Sequence, residues 1–344
     1  MRVSARLAAC PLALTLSLCL GAGPLAADST GTPVAITYGT VPLDTADPDS
    51  TLTAPDGSSH FAWQGGLELR SADERFGGIS GFLIDADGTG LTAVTDTGYW
   101  LTARLSYDDG ALSGVSDMRM APILDEQGES VAGSKRRGDA EGLTRLDDGR
   151  LAVSFERRHR VWAYDVETQG FAATARPVDV SPALAKAENN KGLEALSSLP
   201  GNRLIAITEA TMRAGNEILG WHVAPGGSTE ISLVRLPPFD LTDMALLPDG
   251  DVLTLERRYS PIGGVGAQIR RLPAAALTTD ALRQTPLDGP VLYRSSAGQS
   301  VDNMEGLAVR QDADGRVFAY LVSDDNFNPL QRTLLFMFEL TSSD

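Results

Sequence analysis

The chain has 344 residues, of which 42% are hydrophobic and 22% charged; this excludes a disordered protein and provides a core for one large domain or two ordinary ones. Its 29 Lys and Arg against 45 Asp and Glu give a net charge of −16, which argues against a general nucleic-acid-binding protein because phosphate backbones need a basic surface. The excess of acidic residues is compatible with a protein that binds cations, metals or small ligands.

Residues 1–27 predict a secretory signal peptide. Arg2 and Arg6 precede a mostly apolar run over residues 7–20, and the small residues that follow allow cleavage after Ala27. The apolar run is shorter than the roughly 20 residues that span a bilayer, so we expect no membrane span. The segment therefore predicts a periplasmic or secreted protein.

A hairpin unit repeats along the chain after an N-terminal extension, residues 28–60. The unit is an acidic residue, a short apolar stretch, a turn containing Gly, a β-rich run and a second acidic residue. Four fuller copies run from Glu141 to Glu156, Glu194 to Glu209, Asp243 to Glu256, and Glu305 to Asp324. An earlier, degenerate copy begins at Gly78-Ile79-Ser80-Gly81 and ends at Asp96.

Each hairpin is followed by a third strand-like run, and several units offer a fourth. Four short strands per unit, with Asp-Gly turns and little helical periodicity, predict an all-β protein, a β-propeller over residues 61–344. Five hairpins can be counted, which leaves five or six blades open. Residues 61–69 could supply the outer strand of the last blade and close the ring, which removes free sheet edges.

The repeated acids should meet at one end of the propeller. In an antiparallel hairpin, the residue that enters the first strand lies opposite the residue that leaves the second, and each acid pair is centred on its turn. If these hairpins are the inner strands, the acids surround one mouth of the channel and need cations, either metal ions such as Ca²⁺ or nearby arginines. The alternative is that individual acids form salt bridges that hold the blades together.

Other chemistries have little support in the sequence. The three histidines, His60, His159 and His222, are far apart and lack zinc-ligand spacing. The glycine cluster at residues 263–266 has no flanking helix, so we expect no nucleotide cofactor.

Residues 63–340 resemble the phytase-like family, also described as having esterase-like activity of phytase. The motifs that carry the resemblance are Phe76-Gly77-Gly78-Ile79-Ser80-Gly81, Thr95-Asp96-Thr97-Gly98, Asp139-Ala140-Glu141-Gly142-Leu143, Ser154-Phe155-Glu156-Arg157, Lys191-Gly192-Leu193-Glu194-Ala195-Leu196, Asn303-Met304-Glu305-Gly306-Leu307 and Ser323-Asp324-Asp325-Asn326. The resemblance implies a secreted or periplasmic β-propeller whose recurrent Glu and Asp form the active centre of a phosphoester hydrolase. The first repeat departs from the pattern, because Ser80 or Gly81 replaces the entering acid.

These observations predict a metal-dependent hydrolase of a small-molecule phosphate ester, with Ca²⁺ as cofactor, acting as a monomer. The predicted catalytic residues are Glu141, Glu194, Glu305 and Asp96. The predicted metal ligands are Glu156, Glu209, Asp243, Glu256, Asp324 and Asp139, and the predicted phosphate-binding residues are Arg157, Arg257 and Arg258. Two alternatives stay open: a non-catalytic propeller that binds a ligand or partner, and a Ca²⁺-dependent lactonase or carboxylic esterase.

Overall fold

The computed structural model describes residues 29–44, 52–188, 191–260 and 264–341. The predicted signal peptide, residues 1–27, lies outside them. The strands of the described residues are β1 (Thr32–Pro33), β2 (Thr37–Thr40), β3 (Leu52–Thr53), β4 (Ser59–Arg70), β5 (Ile79–Ile84), β6 (Gly90–Thr95), β7 (Tyr99–Asp108), β8 (Ala111–Pro122), β9 (Ala140–Arg145), β10 (Leu151–Phe155), β11 (Arg160–Tyr164), β12 (Arg176–Val178), β13 (Leu193–Leu199), β14 (Arg203–Ala214), β15 (Glu217–Ala224), β16 (Gly227–Val234), β17 (Asp240–Leu246), β18 (Val252–Ser260), β19 (Gly264–Leu272), β20 (Val291–Arg294), β21 (Met304–Gln311), β22 (Val317–Ser323) and β23 (Thr333–Leu340).

The helices are short and lie in connections between strands. They are α1 (Lys135–Gly138), α2 (Val166–Gln169) and α3 (Thr279–Gln284), with 3₁₀ turns at Gly170–Ala172, Pro182–Lys186 and Ala274–Leu277. None of the helices in the described ranges is long and apolar enough to cross a membrane.

The strands form five sheets that are the blades of a propeller. From the outer to the inner strand, the first four blades are β1-β8-β7-β6-β5, β12-β11-β10-β9, β16-β15-β14-β13 and β20-β19-β18-β17, and the fifth is β2-β4-β23-β22-β21 with β3 paired to β4. The inner strands β5, β9, β13, β17 and β21 contact one another in order, and β21 contacts β5, so the ring is closed. The prediction of an all-β propeller is confirmed, and the blade number is five.

The closing blade combines both ends of the described chain. β4 pairs antiparallel with β23, with Leu67 opposite Leu335 and Leu69 opposite Thr333. This confirms that residues 61–69 supply the outer strand that closes the ring. The described part of the expected N-terminal extension is integrated into the propeller, because β1 pairs with β8 and β2 pairs with β4.

Local sequence explains the hairpins. Glycines 88, 149, 250 and 315 in the Asp-Gly turns have φ between 79° and 92°, a region that residues with a Cβ rarely adopt. The apolar faces of the strands then pack between blades, and five hydrophobic clusters each join two neighbouring blades around the ring.

Candidate functional site

The inner strand of every blade carries one β-bulge near the channel mouth. In the third blade, for example, Leu193 pairs with Thr208 and Ala195 pairs with Ile207. Glu194 lies between them and has no partner on the neighbouring strand. The same irregularity occurs in the other four inner strands. Aligning the five bulges gives equivalent residues, here called the inner ring: Ser80, Glu141, Glu194, Thr242 and Glu305.

The three glutamates of the inner ring converge from three different blades. Burial is the main cause that raises the pKa of Glu194 well above its ordinary value, and the charges of Glu141, Glu209 and Glu305 raise it further. The pKa of Glu141 is likewise raised well above its ordinary value by burial, then by several acids including Asp139 and Glu305. Mutual effects of this kind arise because the three carboxylates, carried at equivalent positions of three inner strands, lie near one another.

A second ring comes from the residues that leave the second strand of each hairpin: Asp96, Glu156, Glu209, Arg257 and Asp324. The backbone N–H groups of the four acids donate to the carbonyls of Gly78, Asp139, Gly192 and Asn303 at 2.8 to 2.9 Å. In the fourth blade, Arg257 lies opposite Asp240 in the register of the two strands. In this register Glu156 lies opposite Asp139 rather than Glu141. Two blades lack an inner-ring acid. The first has Asp96 in the second ring, whereas the fourth has Arg257 there instead of a carboxylate.

Two predicted metal ligands, Asp243 and Glu256, are not brought to either ring. Asp243 follows the bulge by one residue, and its carboxylate accepts hydrogen bonds from the N–H groups of Met244 and Leu307, both at 2.7 Å. Glu256 precedes Arg257 and is buried within the fourth blade, where Arg270 and Gln268 of β19 bind its carboxylate. The bulge explains both corrections, because one inserted residue turns the following side chains to another face.

Asp139, Glu141 and Glu156 form a carboxylate triad whose oxygens lie within 4.8 Å of one another. Asp139 is almost fully buried and is held by two cations, with Arg157 Nε at 2.6 Å and Lys135 Nζ at 3.4 Å. Glu156 accepts a hydrogen bond from the Gly192 N–H at 3.0 Å. The triad could hold a metal ion, and its all-oxygen donor set fits a hard divalent cation such as Ca²⁺.

Asp96 and Asp324 extend the acidic cluster from the triad toward the fifth blade. Lys135 binds Asp96 as well as Asp139, while the other carboxylate oxygen of Asp96 is buried without a hydrogen-bond donor. Burial raises the pKa of Asp324 well above its ordinary value, and the charges of Asp96 and Glu305 add to the shift. Lys135 therefore neutralises part of a cluster that remains strongly acidic.

Arg257 neutralises the opposite side of the rings. Its Nε lies 3.1 Å from Glu305 and its guanidinium donates to Glu209 at 3.2 Å and to Asn303 at 2.9 Å. Burial still raises the pKa of Glu209 to about 7, against the lowering effect of Arg257. The guanidinium carbon of the third predicted phosphate-binding residue, Arg258, lies 5.9 Å from the centre of the Phe239 ring, and among the described residues Arg258 forms no ion pair with the acids of the two rings.

Sequence reasoning missed Lys135 and Asn303 as members of the site. Asn303 donates to Glu305 at 2.7 Å and accepts from Arg257. The available signals were their positions, Lys135 four residues before Asp139 and Asn303 two residues before Glu305. Neither position fits the repeated acid pattern, because each lies in a connection outside the hairpin.

The family model described as phytase-like, esterase-like activity of phytase, matches residues 74–327. The chain therefore belongs to the phytase-like family, and this membership supports a hydrolase. Among curated proteins, none matches the sequence.

Several solved structures resemble the chain at low identity. The alpha-L-arabinofuranosidase PaAbf62A from Podospora anserina has a TM-score of 0.48 and 10% identity, covering 91% of this chain and 99% of that one. The gluconolactonase XC5397 from Xanthomonas campestris has a TM-score of 0.42 and 12% identity, covering 90% and 99%. Similarities with such low identities and TM-scores do not indicate an activity, so the activity is argued from the residues of the site.

Proposed function

We propose that the protein is a metal-dependent hydrolase of phosphoric esters that acts at the mouth of the propeller. The observation that supports this most is the triad of Asp139, Glu141 and Glu156, with Arg157 and Lys135 beside it. A cation site and two basic side chains at one place are what a phosphoryl group needs for binding and for neutralisation of its charge.

The triad residues would hold the metal, and Ca²⁺ is the ion we propose because all three ligands are carboxylates. When bound, the ion would supply Lewis-acid polarisation of a phosphoryl oxygen. Arg157 is 41% exposed and uses Nε for Asp139, so its remaining N–H groups would bind phosphate oxygens. Lys135, with 53% of its side chain exposed, would add a second positive charge.

Proton transfer is assigned to Glu194 and Glu305. No hydrogen bond or ion pair joins the Glu194 side chain to another residue that the structure describes, and burial raises its pKa well above the ordinary value, which favours the protonated form. Arg257 and Asn303 favour the ionised form of Glu305, although burial leaves its pKa above the ordinary value. In the proposed reaction water attacks phosphorus and gives its proton to Glu305; the ester P–O bond breaks, and the leaving alcohol oxygen takes the proton of Glu194.

Turnover of p-nitrophenyl phosphate across pH, with Ca²⁺ and with excess chelator, tests this proposal. We expect calcium-dependent release that the chelator abolishes, and a loss of at least about a hundredfold in kcat for the Glu194→Gln/Glu305→Gln variant. Glu230→Gln, which changes an exposed acid on the propeller surface, is the matched control and should retain activity. Unchanged turnover in the double variant would contradict the assignment of these two residues.

Calcium binding is tested separately by thermal unfolding. An ion that binds only the folded protein stabilises it by about 2.7 kcal/mol at a hundredfold excess over its Kd. We expect this stabilisation in the parent protein and its loss in Asp139→Asn. Equal stabilisation of both proteins would place the ion elsewhere, and binding without turnover of any ester would favour the non-catalytic alternative.

A carboxylic ester or lactone is the second candidate substrate. Eight acids of the triad and the two rings face only three cations that pair with them, Lys135, Arg157 and Arg257. This excess of negative charge favours a neutral ester over a phosphate dianion. Calcium-dependent hydrolysis of p-nitrophenyl acetate or of a lactone, without release from p-nitrophenyl phosphate, would decide for this candidate.

The proposal also includes export through the signal peptide, residues 1–27, and a monomeric mature protein. Intact-mass measurement of protein from the periplasm or medium should show a chain that begins at Asp28. Light scattering should give the mass of one chain; a retained leader or a stable dimer would contradict these points.

A further inference from the structure

A groove leaves the second ring of acids between the fourth and fifth blades. Its volume is about 540 Å³, and its lining includes Arg257, Asn303, Tyr259 and Leu330. Arg257 and Asn303 both contact Glu305 in the inner ring. The groove therefore adjoins Glu305, one of the two residues to which proton transfer is assigned.

Two of the apolar side chains that line this groove, Tyr259 and Leu330, are unusually exposed. Leu330 is 89% exposed and Tyr259 is 71% exposed, the highest values among the large hydrophobic residues that the structure describes. Exposed apolar side chains beside a polar cavity mark ligand sites more often than isolated surface positions do. Here they belong to different blades, Tyr259 to β18 and Leu330 to the connection between β22 and β23.

Leu330 is presented by an ordered connection. Asn326 and Phe327 have positive φ values of 48° and 51°, and their N–H groups are held by the carboxylates of Asp324 and Asp325. The N–H of Leu330 donates to the Asn328 side chain at 3.0 Å. A left-handed conformation at a bulky residue costs free energy, so such a connection persists when the surrounding contacts fix it.

The charge at the mouth limits what the groove can bind. Each of the cations Lys135, Arg157 and Arg257 already pairs with an acid. A polyol that carries several phosphate groups would need many more free cations, because each phosphate brings up to two negative charges. A ligand with one anionic group and an apolar remainder fits both the small number of cations at the mouth and the exposed apolar side chains of the groove.

We propose that the groove is a subsite that binds the organic part of the substrate and that it selects esters with an aromatic group and a single anionic group, rather than polyphosphorylated polyols. The anionic group lies at the triad, and the arene lies between Tyr259 and Leu330. This inference rests on the proposed function, because it takes the reacting ester bond to be at the triad.

Binding of two phosphonates, measured by titration calorimetry with Ca²⁺ present, tests the subsite without turnover. The mature protein should bind phenylphosphonate roughly five- to tenfold more tightly than methylphosphonate, the effect of one aromatic contact. Tyr259→Ser and Leu330→Ser should each reduce this preference, while Met212→Ser, which removes an exposed hydrophobic residue outside the groove, should preserve it. Inositol hexakisphosphate should bind more weakly than phenylphosphonate.

The outcomes separate the subsite from the reaction. Equal affinity of the parent protein for both phosphonates, a preference that persists in both groove variants, or tighter binding of inositol hexakisphosphate overturns the subsite. A preference that the groove variants remove, without turnover of phenyl phosphate, supports the subsite and refutes the phosphoester function. If neither phosphonate binds, the phosphoester function is wrong, and equal hydrolysis of phenyl acetate and methyl acetate would then overturn the subsite as well.

Discussion

The acids of the repeated hairpins divide into those that lie in the two rings and those whose carboxylates are bound inside the protein. Asp243 and Glu256 match the repeated acid pattern as well as Glu141 and Glu156 do, yet their carboxylates bind N–H groups, an arginine and a glutamine inside the protein. Buried acceptors of this kind stabilise the fold mainly because their removal leaves donors unsatisfied. A shift of one residue along the strand therefore decides whether a carboxylate lies in a ring or is bound inside the protein.

Replacing Asp243 by Ala tests this division. The change leaves the buried N–H groups of Met244 and Leu307 without their acceptor, so we expect a loss of about 2–4 kcal/mol in the free energy of unfolding, measured with urea. Calcium affinity should stay within about twofold of the parent, in contrast to Asp139→Asn. A tenfold loss of calcium affinity in Asp243→Ala would restore Asp243 to the ligand set.

Glu209 gives a second prediction at this scale. Its pKa is raised to about 7, mainly by burial, so between its ordinary value of 4.5 and 7 the folded protein binds more protons than the unfolded chain. The stabilisation linked to this proton is complete below pH 4.5 and is lost as the pH rises through 7.

Thermal unfolding from pH 4.5 to pH 7.5 without divalent cations measures this effect. We expect the parent protein to lose up to about 3 kcal/mol relative to Glu209→Gln over this range. Parallel pH profiles for the two proteins would show that the proton binds elsewhere.

Among the elements, the inner strands impose the tightest packing. At Gly142, directly after the bulge, a Cβ would lie 2.6 Å from the backbone oxygen of Glu194 in the next blade. Equivalent glycines 81 and 306 meet the neighbouring inner strand at the same distance. The repeated Glu-Gly-Leu sequence thus reflects the close approach of adjacent inner strands as well as the position of the acid.

Gly142→Ala should destabilise the protein by about 1–3 kcal/mol, because a backbone atom cannot move aside as a flexible side chain can. Gly39→Ala is the matched control, since Gly39 also lies in a strand and a Cβ there meets nothing within 4 Å. Urea unfolding of both variants gives the comparison. Similar stabilities for the two variants would show that the inner strands can separate without cost.

At the scale of the whole molecule, the ring depends on a strand from the N-terminal part of the chain. β4 lies between β2 and β23, and its residues Leu67 and Leu69 are buried in the cluster between the fifth and first blades. Without β4 the fifth blade would expose the edge of β23 and an apolar face. Closure by a strand distant in sequence makes the blades one cooperative unit.

A chain that begins at residue 71 should therefore fail to fold as a stable monomer, whereas one that begins at residue 29 should fold. A synthetic peptide of residues 59–70 should restore near-ultraviolet circular dichroism to the shorter chain by pairing with β23. An unchanged unfolding midpoint in the chain from residue 71 would show that closure by β4 is dispensable.

Much of the site could be predicted from the sequence, but not the position of every acid. Glu141, Glu194 and Glu305 were found because their repeats place the turn and both strands in the same arrangement. Lys135 and Asn303 were missed because connections follow no repeat. Arg258 was included because Glu256-Arg257-Arg258 repeats the tripeptide Glu156-Arg157-Arg158. Tyr259 and Leu330, which line the same groove, are 71 positions apart in the chain, so no local pattern reveals the groove.

The sequence by itself determined the propeller, its hairpins and the strand that closes it, because Asp-Gly turns and alternating apolar residues act through local geometry. Only the tertiary structure decided which acids face the channel. A bulge of one residue puts Thr242 in the inner ring and turns Asp243 toward the next blade, and it puts Arg257 instead of Glu256 in the second ring. Successive side chains of a strand point to opposite faces. The register of pairing between strands, which forms only on folding, therefore decides whether these side chains lie in the rings or pack inside the protein.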